Sequence, residues 1–227
     1  MRTLVVMGGG TDSAVCLAKM VREYGPENVA ALTFYYGQRH KIEVEAAKRV
    51  ADFYGVETIV KDFGDFYKGS KCELIKESGR EVTEGSFEEQ ISKSNGAPVA
   101  TFVPFRNGFF YSAAAVVAMI NGFNSVAHAI VWDGTIGNAH PDASGFFTTL
   151  IADAIYVGTG GAVEVLSPFI TIPKYEVIKI GKSLGVPFEL TYSCYGGEDK
   201  SCGKCGSCIQ RLSAFEKAGT RDPLAYK

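Results

Sequence analysis

Four cysteines crowd together near the C-terminus, Cys194, Cys202, Cys205 and Cys208, in the order C-x7-C-x2-C-x2-C. Thiolates at such intervals in a glycine-bearing loop can close a tetrahedron around Zn2+. An iron–sulfur cluster is the competing reading, but the ferredoxin run needs a further C-x3-C-P ending that this chain lacks. Four ligands leave no open position, so the predicted metal holds the fold and does no chemistry. The other end of the chain carries a second constellation, Met7-Gly8-Gly9-Gly10-Thr11-Asp12-Ser13, directly after the apolar Leu4, Val5 and Val6. Bare glycines turn tightly and present N–H groups, and a helix opening at Thr11 brings its partial positive charge to the same point. The stretch reads as a phosphate cradle, although a turn needed only for strand–helix packing would also use glycine. It lacks the Gly-Lys-Ser/Thr ending of a mononucleotide P-loop and the spacing of a dinucleotide fingerprint.

The remaining candidates are dispersed along the chain. Gln38, Arg39 and His40 follow an apolar run and fall where a nucleotide crevice would lie, with an ordinary solvated turn as the alternative. Arg106 and Asn107 open an apolar helix, and the forked donors of an arginine there suit phosphate or carboxylate oxygens. The stretch 132–144 collects Trp132, Asp133, His140 and Asp142, which reads as a substrate pocket with Asp142 accepting paired N–H donors from a guanine-like ring edge. Lys174 begins a late helix as either a solvated lysine or a phosphate contact. His128, inside an apolar run, is expected to be a satisfied interior histidine, and Cys72 to take no part in chemistry.

Elements that would position these groups follow from periodicity. Strands are predicted at Leu4–Val6, Val29–Phe34, Thr58–Val60, Ser125–Val131 and Val163–Leu166, with helices at 14–24, 41–54, 108–119, 145–156 and from Lys174 onward. Alternation of this kind builds a parallel sheet by right-handed crossovers, with ligands beyond the strands' carboxyl ends. The helix over 108–119 is apolar nearly all round and is expected to be fully buried. Residues 64–98 read as a loop-rich insertion, a lid, subunit contact or surface excursion, with helical pieces near Phe66–Ile75 and Phe87–Ile91. The predicted organisation is a nucleotide domain over 1–188 and a zinc-bound segment over 189–227. With 227 residues, 46% of them hydrophobic, and a net charge of −2, nothing calls for a nucleic-acid partner, and small substrates are favoured. No apolar run reaches the roughly 18 residues of a membrane span and no leader pattern is present, so a cytoplasmic enzyme is expected.

The glycine loop resembles the Ser-Gly-Gly-x-Asp-Ser loop of ATP pyrophosphatases, with Gly8 where the first serine usually stands. Adding Phe34–His40, Thr101–Asn107, Pro168 with Lys174 six residues on, and the cysteine tail, nearly the whole chain resembles the 7-cyano-7-deazaguanine synthase family. The resemblance implies an adenine-nucleotide α-hydrolase-like, Rossmann-like α/β fold, usually a homodimer, using ATP, Mg2+ and Zn2+. It implies conversion of 7-carboxy-7-deazaguanine and ammonia into the nitrile through an adenylated carboxylate and an amide. On that footing Asp12, Ser13, Arg106 and Lys174 are the catalytic candidates, Met7–Ser13, Gln38 and Arg39 the nucleotide contacts, and Arg106, Asn107, Trp132, Asp133, His140 and Asp142 the substrate contacts. The substrate loop departs from the family's Ser-Gly-Tyr-Pro-Asp-Cys-Arg, reading Asn138-Ala-His-Pro-Asp-Ala-Ser144, and Phe105 replaces a glycine. A relative acting on another 7-deazapurine or stopping at the amide is one alternative. An inactive nucleotide-binding module and a tRNA-modifying enzyme are others.

Overall fold

Thr3, Leu4, Val5 and Val6 form the innermost strand, β1 (Thr3–Val6), and each of the four is buried. The computed structural model describes residues 1–39, 41–132, 139–197 and 200–227. After β1 come α1 (Thr11–Tyr24), β2 (Val29–Tyr35), α2 (Ile42–Phe53), β3 (Glu57–Asp62), α3 (Phe87–Lys93), α4 (Arg106–Asn121), β4 (Ser125–Ala127), α5 (Gly145–Gly158), β5 (Glu164–Leu166), α6 (Lys174–Ser183) and α7 (Gly206–Lys217). The strands lie in the order β3-β2-β1-β4-β5, all parallel, the Rossmann-like arrangement expected. Strand order reverses at β1, which puts a crevice beyond its carboxyl end.

Alternation along the strands divides the core in two. Val5, Met7, Ala31 and Ala127 face α1, α2, α6 and α7, while Leu4, Val6, Leu32, Phe34 and Val126 face α4 and the insertion. The buried hydroxyls of Thr3 and Ser125 satisfy each other at 2.8 Å across β1 and β4.

Three expectations are corrected. β4 ends at Ala127 because its neighbour β5 ends at Leu166, so only one further ladder bond forms, His128 N–H to the Leu166 carbonyl at 2.9 Å. Residues 66–75 make turns in place of a helix: Gly69 sits at φ +82 and Ile75 bridges antiparallel to Gln38, so Tyr67, Cys72, Leu74 and Ile75 join the core as loop side chains. The α3 helix does form, and its start is a Ser86/Glu89 capping box. Finally α4 is not buried all round, since Val116, Met119 and Ile120 lie along one exposed stripe. Among the described residues no helix is long and apolar enough to cross a membrane.

Candidate active site

At the carboxyl end of β1 the Met7 N–H still donates to Leu32 (2.8 Å), and the chain then swings through the three glycines into α1. Gly9 holds φ +77, and a Cβ there would collide with the backbone carbonyl of Glu43 in the first turn of α2, so glycine is obligatory. Gly8 has open space around it, so a side chain at that position would be accommodated. Gly10 is the N-cap of α1 and supplies no side-chain cap, leaving first-turn N–H groups available to an anion. Thr11, Asp12 and Ser13 follow in that first turn, with the Ser13 hydroxyl donating to the Gly10 carbonyl at 3.1 Å.

Opposite, Lys174 opens α6 and brings its ammonium 2.7 Å from Asp12 and 3.2 Å from Gln210. Arg106 opens α4, donates to the Tyr36 hydroxyl at 3.1 Å, and stacks over that ring with the guanidinium 5.6 Å from its centroid. The glycine loop, Asp12, Ser13, Arg106, Asn107 and Lys174 all line one cavity of about 260 Å3. A cationic pole and an uncapped helix terminus thus face a single space, which suits a polyanion.

Other predicted contacts fall differently. The Asp142 carboxylate accepts the Asn107 backbone N–H at 2.7 Å and its side-chain amide at 3.4 Å, so it caps α4. Burial pushes its carboxyl above the usual range, while the Asn107 bonds and Arg106 oppose the rise. Gln38 lines the cavity, but its amide is spent on the neighbouring backbone, accepting from Tyr36 N–H at 2.8 Å and donating to Phe34 at 3.1 Å. Arg39 reaches the carbonyls of Glu73 and Arg80 and so ties down the insertion. Trp132 is 58% exposed and lines an adjoining groove of about 270 Å3, which shares Lys174 and Gln210 with the main cavity. Asp133, with His40 and Asn138, lies outside the described residues.

Two histidines also line the cavity, His128 and His140. His140 is packed by Phe87 and Phe102, His128 lies against the Tyr111 ring, and each keeps one buried ring nitrogen without a hydrogen-bond partner. The expectation of a satisfied His128 is therefore overturned. Burial, with Arg106 adding, lowers them to about 4 for His128 and about 3 for His140, so both are neutral near pH 7.

The sequence reading missed Glu43, Tyr36, Tyr192, Ser193 and Tyr195, all in the cavity wall. Only their neighbours gave a signal: Glu43 follows the Gln-Arg-His stretch, and Tyr192–Tyr195 brackets Cys194. That segment lies across the glycine loop, with Tyr192 N–H donating to the Gly9 carbonyl at 2.8 Å and Ser193 packed beside Gly10.

The sulfurs of Cys194, Cys202, Cys205 and Cys208 lie within 4.8 Å of one another. A tetrahedron with Zn–S bonds of about 2.3 Å places sulfurs about 3.8 Å apart, so the set fits a metal with little adjustment. Backbone N–H groups of Gly197 and Cys202 point at the Cys194 sulfur at 3.0 and 3.2 Å, which favours the thiolate form. The segment is locked independently by buried Arg211, which forks onto Asp222 at 2.7 and 2.9 Å and donates to Thr191 at 2.7 Å.

Comparison with known proteins adds four findings. The family profile described as "Queuosine biosynthesis protein QueC" matches residues 2–219. A protein of Koribacter versatilis named 7-cyano-7-deazaguanine synthase is 37% identical over 227 residues, covering 99% of this chain and 93% of that protein. One of the same name from Methanothermobacter thermautotrophicus is 34% identical over 228 residues and covers both chains completely. Among solved structures, NMN synthetase from Francisella tularensis superposes with TM-score 0.52 at 14% identity, over 97% of this chain and 78% of that one, a likeness of fold alone.

Proposed function

The chain belongs to the QueC family of queuosine biosynthesis proteins, and we infer that it performs the reaction its relatives are named for, the ATP-dependent synthesis of 7-cyano-7-deazaguanine. The observation that carries this reading to the site is the single cavity in which the glycine loop, the Asp12–Lys174 pair and Arg106 converge.

The chemistry follows from charge. A carboxylate is a poor electrophile, so the C7 carboxylate of 7-carboxy-7-deazaguanine attacks the α-phosphorus of ATP and pyrophosphate departs. Ammonia then displaces AMP to give the amide, and a second adenylation followed by loss of AMP gives the nitrile. Negative charge grows on the phosphates in each activation. Donors already aimed at that charge lower the barrier by several kcal/mol, and we assign this to the α1 N-terminus, Ser13, Lys174 and Arg106. Asp12 orients Lys174, and Thr11 and Asp12 offer the hard oxygen donors that a nucleotide-bound Mg2+ takes. Asn107, His128 and His140, which line the cavity, are the groups we place against the deazapurine. Zn2+ at the four cysteines is assigned a structural part, holding Tyr192–Tyr195 over the glycine loop. The exposed apolar stripe of α4, beside Phe146, Leu150 and Val157 on α5, supports a homodimer. We place the enzyme in the cytoplasm, where ATP and reduced thiols are available.

Mass spectrometry after incubation with ATP, Mg2+, ammonia and 7-carboxy-7-deazaguanine tests the assignment. The nitrile is expected; accumulation of the amide alone would mark an enzyme that stops halfway, and absence of both would refute the synthase reading.

A further inference from the structure

Amide formation from the adenylate has a requirement that the phosphate-binding groups do not meet. Ammonia's nitrogen acquires a positive charge as it attacks, and that proton must leave before the amide is formed. Two carboxylates line the cavity among the described residues, Asp12 and Glu43. Asp12 is already held by the Lys174 ammonium at 2.7 Å. Glu43 stands in the first turn of α2, its backbone carbonyl is wedged against Gly9, and the residue lines the same cavity as the glycine loop. Arg106 of α4, Tyr36 beyond β2, and Tyr192, Cys194 and Tyr195 of the C-terminal segment supply its electrostatic surroundings.

We propose that Glu43 is the general base of the ammonia step. The nitrogen lone pair forms the C–N bond, the C–O bond to AMP breaks with its electron pair leaving on the phosphate oxygen, and the surplus proton on nitrogen passes to the Glu43 carboxylate. Ammonia, acyl adenylate and carboxylate thereby become amide, AMP and a carboxylic acid. The local physics supports the assignment: burial lifts Glu43 to about 7 and Arg106 opposes the rise, so the group exchanges protons readily near neutral pH. A Tyr36 or Tyr195 phenol is no substitute, since burial raises both further from neutrality.

The inference rests on the synthase reading, and the test separates the two. Hydroxylamine is a stronger nucleophile that is uncharged near neutral pH and needs less help losing its proton. Wild type, Glu43→Gln and Glu43→Asp are each supplied with ATP and the carboxylate, and amide formed from ammonia is compared with hydroxamate formed from hydroxylamine. Glu43→Gln is expected to lower the ammonia rate by about 100-fold or more and the hydroxylamine rate by less than about tenfold. Glu43→Asp, which keeps the carboxylate, should recover part of the ammonia rate and serves as the informative variant if the glutamine form fails to fold. Equal losses with both nucleophiles, or an unchanged ammonia rate, would overturn the assignment. If wild type forms neither product, the synthase reading itself falls and takes the base with it.

Discussion

Lys174 stands where the argument from charge is most exposed to test. Its ammonium is two-thirds of the way along the chain from its partner Asp12, yet the two meet at 2.7 Å inside the cavity, because α6 and α1 begin at the same end of the sheet. Lys174→Ala should lower kcat by about 10²- to 10³-fold, the loss typical of removing one preorganised donor. Steady-state turnover measures it, and a loss under tenfold would reduce Lys174 to a solvated lysine. Phe105 offers a different test, of backbone physics. It precedes α4 at φ +53, in the left-handed region that favours glycine, and its ring lies over Gly108 and meets Phe147 edge-on. A glycine at this position would adopt that conformation without strain. Phe105→Gly and Phe105→Ala both lose the ring, so their difference isolates the strain; the glycine form should be more stable by about 1 kcal/mol in urea unfolding. The two neutral histidines make a prediction about acid. Their folded pKa values lie below the ordinary 6.5, so their contribution to stability is fully present above pH 6.5 and is lost as pH falls toward 4 and 3. Glu43, raised to about 7, acts with the opposite slope between pH 4.5 and 7. Urea midpoints of His140→Asn should therefore fall less steeply than wild type below pH 6, and parallel slopes would contradict the assignment.

Among elements, the cysteine-bearing segment and the glycine loop behave as one unit. Tyr192 bonds to Gly9, Ser193 packs on Gly10, and Cys194 follows one residue later, so a metal held at the proposed cysteine site would steady the glycine loop. A chelator, or Cys208→Ser, is expected to lower the melting temperature and to weaken ATP binding together, as calorimetry would record. Retention of full ATP affinity without metal would uncouple them. This junction also marks where the sequence stopped being legible. Strand alternation, the glycine turn and cysteine spacing are local signals, and from them the parallel sheet and the thiolate cluster could be read. What escaped depends on contacts between distant segments: β4 is shortened by its neighbour, Asp142 is drawn to α4, Arg39 to the insertion, and Glu43 to Gly9. For Gln38 the local bonds are likewise hidden, since an amide that bonds its own backbone looks in sequence like one free to bind.

For the whole molecule, the apolar stripe shared by α4 and α5 is the outstanding surface feature. Ile120 is 77% exposed, Phe146 and Val157 78% each, and a monomer gains nothing by presenting them to water. On the proposed homodimer, Ile120→Lys combined with Val157→Lys should shift sedimentation from dimer to monomer; an unshifted species would place the interface elsewhere. The overall account, however, stands on where the substrate's oxygen goes. If the carboxylate is activated by adenylation in the cavity above β1, both of its oxygens must leave on AMP. The direct measurement is turnover of 7-carboxy-7-deazaguanine labelled with 18O in both carboxyl oxygens, followed by mass spectrometry of the nucleotide. The account predicts two AMP per nitrile, each carrying one label. Unlabelled AMP, with the label found in inorganic phosphate or water, would contradict it.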